Sequence, residues 1–486
     1  MNGLIILFII LGYFTILTII ARVSAKKGGN DAFFRGNGNS PWWLVAIGMI
    51  GTSISGVTFV SVPGMPKDIG MSYMQMVLGF TVGYIIIAKV LLPLYYKLNL
   101  ISIYKYLDER FGSKSYKIGA VFFIISKITG AAARLFLVVL ILQSLIFNAL
   151  GVPFEVTTIS IIFLIWLYSN KGGIRSIVRT DAVQTIILLT TAALIIYIIT
   201  SKMGLGFRET VSLIKESNHS NIFVFDDWAS KQNFFKQFLS GIFITIVMTG
   251  LDQDMMQKNL TIKSLKEAQR NMYIYGVAFI PINLIFLCIG ILLLAYANHN
   301  GIVIPENGDE ILPLLATYHL GGLVMILFCI GIVAAAFSSA DSALTSLTTS
   351  FCLDIVSTDK MEESRAEKVR KVSHIGMAVL FALIIMAIRY INSDSVIDAI
   401  YTIAGYTYGP LLGLFAYGLI CKGMPNDKLI PWFAIVSPIL CFALSYTLQN
   451  TIGYKTGYEL LMINASITFL MLWVSSAKHK RLIIKG

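Results

Sequence analysis

Charged side chains are scarce in this chain: Asp, Glu, Lys and Arg together make up 13% of its 486 residues. Soluble globular proteins carry about a quarter, so this composition cannot clothe a domain of this size in a water-exposed surface. Histidine and cysteine are rare too, with five of each. The histidines are scattered, with no HExxH and no paired Cys/His set, and neither a GxSxG elbow nor a phosphate loop occurs. Cys288, Cys329, Cys352, Cys421 and Cys441 sit in or at the ends of apolar runs, without disulfide-framework or metal-ligand spacing, and read as small core residues. These absences argue against an enzyme.

What is plentiful is apolar: 56% of the residues are hydrophobic. Apolar runs of about 18 residues or more recur and barrel-type alternation does not, which predicts an all-α integral membrane protein. About 13 transmembrane helices fit the pattern, near residues 3–24, 41–65, 70–97, 115–150, 153–169, 175–200, 233–256, 269–298, 313–355, 367–391, 395–421, 428–447 and 456–476. The net charge of +12 is explained by its placement. Lys and Arg crowd one alternate set of loops, as the positive-inside rule requires, and nucleic-acid binding is not expected. The same asymmetry puts the N-terminus outside and the tail Lys478-His479-Lys480-Arg481 inside. The first run, Leu4 to Ile20, lacks a basic leader and is followed by Arg22, Lys26 and Lys27, so it reads as a retained span rather than a signal peptide. Residues 100–112 read as a short amphipathic helix on the cytoplasmic surface. Residues 201–232 are the longest external loop, and no loop or tail has room for a soluble catalytic or signalling domain.

Two spans are interrupted by small and hydroxylated residues. Residues 51–58, Gly-Thr-Ser-Ile-Ser-Gly-Val-Thr, break an otherwise apolar helix that Pro63 and Pro66 close. Backbone can unwind at membrane depth only where it lines a cavity, and its freed carbonyls can then hold a cation. The alternative is a kinked helix whose hydroxyls bond back to their own turns. Residues 239–250 carry a milder version five spans later, and two interruptions at matching places point to inverted repeats around a central site.

Residues 334–342, Ala-Ala-Ala-Phe-Ser-Ser-Ala-Asp-Ser, lie late in another apolar span. Spacings of three and four put Ala335, Ser338, Ser339 and Ser342 on one helical face, with the Asp341 carboxylate beside it. Oxygen ligands at membrane depth suit a hard cation such as sodium, whereas a small-residue packing seam is the plainer reading. Other ionisable groups inside spans are Lys89, Lys127, Arg134 and Asp181, with Lys236 near a span end. Lys89 can snorkel. Arg134 either pairs with Asp181 or faces a cavity and holds an anion. Asp181 neutralises either a cation or the nearby Arg175 and Arg179. Asp252 and Asp254 read as a solvated helix end.

Several motifs together resemble the sodium:solute symporter family. They are Ala32-Phe33-Phe34-Arg35-Gly36-Asn37-Gly38, Gly172-Gly173-Ile174 with Thr180-Asp181 and Gln184, Asp252-Gln253 with Gln257-Lys258, Ala334 to Asp354, and Gly409-Pro410-Leu411-Leu412-Gly413-Leu414-Phe415. They follow the family's order over residues 32 to about 420. The resemblance implies a core of two inverted five-helix repeats with broken first helices, at residues 31–421. A peripheral helix and linker (1–30) would precede it, and two peripheral helices with a cytoplasmic tail (422–486) would follow. It implies a shared sodium site built from Gly51, Ile54, Ala335, Ser338 and Ser339. A second sodium set would be Asp181, Ser338, Asp341 and Ser342. Many relatives carry Ser or Thr at the place of Asp341, so this carboxylate either strengthens a second sodium site or takes a proton. Similarity to the sialic acid branch implies solute contacts from Ser53, Ser55, Thr58 and Arg134. Tyr73 and Gln75, with Phe243, Tyr406 and Tyr408, are further candidates for the cavity wall.

The implied function is sodium-coupled import of a small organic solute by alternating access, across the cell membrane. The lead substrate class is anionic: a sialic acid, another sugar acid or a carboxylate. A neutral sugar or amino acid, or a transporter-like membrane sensor, is the alternative. One or two sodium ions, the solute and the lipid bilayer are the expected partners, with no obligatory protein partner.

Overall fold

The computed structural model describes residues 3–24, 29–228, 230–389, 396–454 and 456–483. Lys26, Lys27 and the predicted boundary between the spans ending at 391 and starting at 395 lie outside this set, as do the side chains of the basic tail from residue 477 onward. Among the described residues there is no strand, only an isolated bridge between Ser40 and Ile262. This is the expected outcome of such a composition, because a helix satisfies its own backbone polar groups where no water can.

The helices used below are α1 (Gly3–Ser24), α2 (Trp42–Ser53), α3 (Gly56–Gly64), α4 (Tyr73–Ile86), α5 (Ser113–Leu142), α6 (Phe154–Lys202), α7 (Phe234–Thr245), α8 (Gln253–Asn259), α9 (Leu265–His299), α10 (Gly322–Ser350), α11 (Glu363–Ile388), α12 (Val396–Ile420), α13 (Ile430–Ile452) and α14 (Leu460–Ile483). Among the described residues nine helices are long and apolar enough to cross a bilayer, and two bent pairs raise this to 11. Two shorter apolar stretches, Phe154–Asn170 and Leu460–Ser476, fall at the fifth and last predicted spans. The predicted span 313–355 is divided: Ile311–Tyr318 is a separate helix, and the chain turns at Gly321 (φ 94°) before α10 begins. That turn needs a left-handed residue, which glycine supplies without strain.

Both broken helices are present. Between α2 and the stretch that starts at Gly56 the axis bends by 58°, around Ile54 (φ −82°, ψ 76°) and Ser55. The second break falls later than residues 239–250 had suggested. The helix continues through a π turn, Ile246–Gly250, and bends by 68° at Leu251 and Asp252. Local chemistry fixes the place: Asp252 caps α8, its Oδ1 accepting from the Asp254 amide at 2.9 Å. The freed carbonyls there are already taken, Gly250 by the Tyr95 hydroxyl (2.8 Å) and Leu251 by that of Tyr104 (2.7 Å).

Within α6 the chain kinks at Gly173 (φ 49°), where an added Cβ would lie 2.5 Å from the Phe33 Cα. Only glycine tolerates both the dihedral and the approach. The segment before α2 and the Gly-Gly-Ile motif, far apart in sequence, are thereby in contact. At the centre, α10 packs on α6, α5, α3 and α2, and it is buried from Val333 to Ser350. Small side chains let helices approach closely in a bilayer, where apolar burial alone does not drive association.

Candidate cation and solute sites

The first break meets α10 and α6 through side-chain contacts. Gly51 lies so close to α6 that a Cβ there would fall 2.0 Å from the Thr185 hydroxyl. This lack of a side chain brings the end of α2 against Asp181. Thr52 Oγ1 is 3.1 Å from Asp181 Oδ2 and 3.3 Å from Ser338 Oγ. Across the break, among the described residues, the Ile54 amide returns to the Ile50 carbonyl and the Phe59 amide to that of Ser55. The Gly51 and Ile54 carbonyls receive no amide there. This differs from the second break, where tyrosine hydroxyls fill the gap. On α10, the Ser339 hydroxyl donates to the Ala336 carbonyl at 2.9 Å and keeps its lone pairs for another partner. Gly51 and Ile54 of the first break and Ala335, Ser338 and Ser339 of α10 thus belong to two segments packed around one junction.

The second predicted set is only partly assembled. Ser338 donates to Asp181 Oδ1 at 2.7 Å. The other oxygen of Asp181 is occupied by a residue that sequence reading did not single out, Lys258, whose ammonium lies 2.7 Å from Oδ2 and also bonds Thr52. Ser342 turns away and donates to Asp254. Asp341 accepts from the Tyr168 hydroxyl at 2.7 Å through Oδ2, and its Oδ1 is buried without a hydrogen-bond partner among the described residues. Asp181 therefore pairs with neither Arg134 nor the Arg175 and Arg179 pair, and the reason is that Lys258 is within contact distance.

Asp252 and Asp254 are not a solvated helix end: they are 3% and 1% exposed. The bend at Leu251 drives α8 back into the bundle and buries both. Lys127 of α5 neutralises them, 3.2 Å from Asp252 and 2.7 Å from Asp254. The Tyr408 hydroxyl adds a 2.7 Å bond to Asp252. Lys258 follows Asp254 by four residues, and its ammonium is 3.9 Å from that carboxylate. Asp254 and Lys258 thus lie one turn apart on one face of α8, with Asp252 at its cap, and that i, i+4 spacing was the signal in the sequence for Lys258.

A central cavity opens beside these groups, lined by Ser53, Ser55, Thr58, Tyr73, Arg134 and Ser339, with Lys127 and Asp252 also in its wall. Of the residues expected to contact solute, Ser53, Ser55, Thr58, Tyr73 and Arg134 line it and Gln75 does not. Gln75 holds the loop before α7 instead, donating to the Gln232 carbonyl (2.9 Å) and accepting from the Val224 amide (3.0 Å). Phe243 and Tyr406 do not line this cavity, and Tyr408 is committed to Asp252. Arg134 lines the cavity and makes no ion pair among the described residues. Ser53 is bonded to the Tyr275 hydroxyl, which Tyr84 supports at 3.1 Å. Asn283 also lines the wall, with its side-chain oxygen unpartnered among the described residues. A lone asparagine inside an apolar span offered no pattern by which to find it.

The chain is similar to transport proteins along most of its length. Residues 33–427 match the sodium:solute symporter family. The sodium/sialic acid symporter SiaT of Proteus mirabilis is 27% identical over 427 residues, 85% of this chain and 84% of that protein. The sodium/glucose cotransporter of Vibrio parahaemolyticus is 25% identical over 479 residues, covering 93% and 86%. A Na+-coupled sialic acid symporter solved in a substrate-bound outward-open state superposes with a TM-score of 0.82 at 23% identity, over 98% of this chain and 97% of that one. The transporter Mhp1 of the nucleobase-cation-symport-1 family, in a closed conformation, gives 0.56 at 15% identity, over 90% and 92%. Such likenesses establish the fold, an all-α bundle of inverted repeats. The breaks at Ile54 and Leu251 are its interrupted helices. By the match over residues 33–427, the chain belongs to the sodium:solute symporter family, whose members are sodium-coupled membrane transporters and not enzymes.

Proposed function

We propose that this protein imports a small anionic solute, a sialic acid or another sugar acid or carboxylate, together with sodium by alternating access. The observation that carries this reading is Arg134: a cavity-lining guanidinium with no ion-pair partner among the described residues. A guanidinium in a site of low dielectric binds a carboxylate through two parallel hydrogen bonds. Ser53, Ser55, Thr58 and Tyr73 supply hydroxyls beside it for a polyhydroxylated body. That relatives carry sodium and sialic acid in their names agrees with this chemistry.

Sodium is held in this reading by the carbonyls of Gly51, Ile54 and Ala335 and the hydroxyls of Ser338 and Ser339. The unclaimed carbonyls across the first break support it. Asp181, Ser338, Asp341 and Ser342 form a second cation-holding set. Ser339 both belongs to the sodium site and lines the cavity, so sodium on α10 favours the arrangement of α2 that accepts solute. Residues 31–421 form the transport core, with 1–30 and 422–486 peripheral; a third or less of the best apolar stretches of α1 and α13 is buried. The N-terminus lies outside and the C-terminus in the cytoplasm of a cell membrane, on the Lys and Arg asymmetry of the loops. No obligatory protein partner is required, since one chain supplies every ligand named.

Thermal shift of the purified protein against N-acetylneuraminate, gluconate, a monocarboxylate, glucose and an amino acid, with and without sodium, tests the reading. Sodium-dependent stabilisation by an acid supports it. Stabilisation by glucose or the amino acid alone moves the assignment to a neutral solute.

A further inference from the structure

Lys258 stands where the second cation would bind. Its ammonium contacts Asp181 Oδ2 at 2.7 Å and bonds Thr52, while Ser338 fills Asp181 Oδ1 at 2.7 Å. Both oxygens of this carboxylate are therefore engaged, one of them by a full positive charge. Ser342, the remaining hydroxyl of the set, is turned to Asp254. Asp341 lies within electrostatic reach of the same ammonium. The lysine side chain is 1% exposed and that of Asp181 0%, so no solvent competes for the contact.

We propose that Lys258 is the resident occupant of the second cation set, a tethered cation in the place of a second sodium, so that the protein binds one sodium per chain. The assignment rests on the sodium site at Gly51, Ile54, Ala335, Ser338 and Ser339. A sodium ion ligated by Asp181 would meet the like charge of Lys258 at contact distance in a low-dielectric interior. The ammonium reaches Asp181 from α8, the inner arm of the second broken helix, and Thr52 belongs to the first. Lys258 thus ties the two interrupted helices to α6, and it supplies the charge that holds them there without leaving the protein in each cycle.

Radiolabelled sodium binding to the purified full chain decides the matter without any solute. The wild type is expected to bind one sodium. Lys258→Gln, which keeps a polar side chain one atom shorter and removes the charge, is expected to bind two, with the second lost in Asp181→Asn/Lys258→Gln. Two sodium ions on the wild type, or one on a folded Lys258→Gln protein, would overturn the proposal. If Lys258→Gln does not fold, the double variant decides, because it leaves no buried charge of this pair unmatched. It must still bind one sodium with affinity within about threefold of wild type, and loss of all sodium binding would overturn the assignment by making Asp181 the ligand. A separate control isolates the underlying site: if Ser339→Ala leaves wild-type sodium binding unchanged, the sodium site is wrong, while the gain in Lys258→Gln still reports on Lys258.

Discussion

Lys258 and Asp181 meet at 2.7 Å between α8 and α6, with both side chains withdrawn from solvent. They are 77 residues apart in the chain. Each charge is buried, so the pair neutralises both where the second broken helix packs against α6. Removing one partner of a buried pair leaves an uncompensated charge, which costs about 3–5 kcal/mol, whereas replacing both is often close to neutral.

Lys258→Met in sodium-free buffer is therefore expected to lower the detergent melting temperature markedly, and Asp181→Asn/Lys258→Met to recover most of the loss. Fluorescence-monitored melting of the single and double variants measures this. Equal losses in the single and the double variant would show that the two charges are not coupled.

Ser339→Ala removes one hydroxyl from the proposed sodium site while sparing the helix, since the hydroxyl's present bond is back to its own turn. The loss of one charge-dipole ligand is worth about 1.5–3 kcal/mol. Half-maximal sodium for uptake should rise by roughly tenfold or more. A sodium titration of uptake into proteoliposomes gives the answer, and an unshifted curve removes Ser339 from the site.

Arg134 carries no ion pair among the described residues, so its removal should leave folding intact and act on the solute. Arg134→Ala is expected to reduce kcat/KM for an anionic substrate by about a hundredfold, and Arg134→Lys to recover only part, because a lysine cannot make the bidentate contact. Undiminished uptake in Arg134→Ala, with a normal melting temperature, would mean a solute whose charge is not read by this residue.

Gln75→Ala tests the reassignment of a residue first expected in the solute wall. Its amide ties the loop before α7 at Gln232 and Val224. Two lost bonds of about 1 kcal/mol each should expose the loop around residues 217–232 to faster proteolysis. The KM for solute should stay within about twofold. A large KM change with unchanged proteolysis would return Gln75 to the cavity.

Much of the site was legible in local pattern. Ser338, Ser339 and Ser342 share a helical face by spacing alone, and residues 51–58 announced their break through Gly, Ser and Thr inside an apolar run. Ser53, Ser55, Thr58, Tyr73 and Arg134 all reach one cavity. The second break was misplaced because Asp252, which caps α8, was read as a solvated helix end, and because Tyr95 and Tyr104, which take the carbonyls that the bend at Leu251 frees, lie outside the segment. The contact of Gln75 with the loop before α7 was not legible, because its neighbours in the span say nothing of a loop more than a hundred residues away that folds over it. Asp252 and Asp254 looked solvated because they sit at the end of an apolar run, and only the fold of α8 back into the bundle buries them.

The sequence by itself determined that this is a multi-span helical membrane protein, because run length and hydropathy respond to the bilayer through local physics: each helix closes its own hydrogen bonds. It also determined the first interruption and the oxygen-rich face of α10, which depend on residues within a turn or two of each other. The tertiary structure alone decided which charges meet. Lys127 with Asp252 and Asp254, and Lys258 with Asp181, join residues 125, 127 and 77 positions apart, and Coulomb energy depends on distance in space, to which spacing along the chain is blind. That is how a carboxylate that sequence offered to sodium came to be held by a lysine.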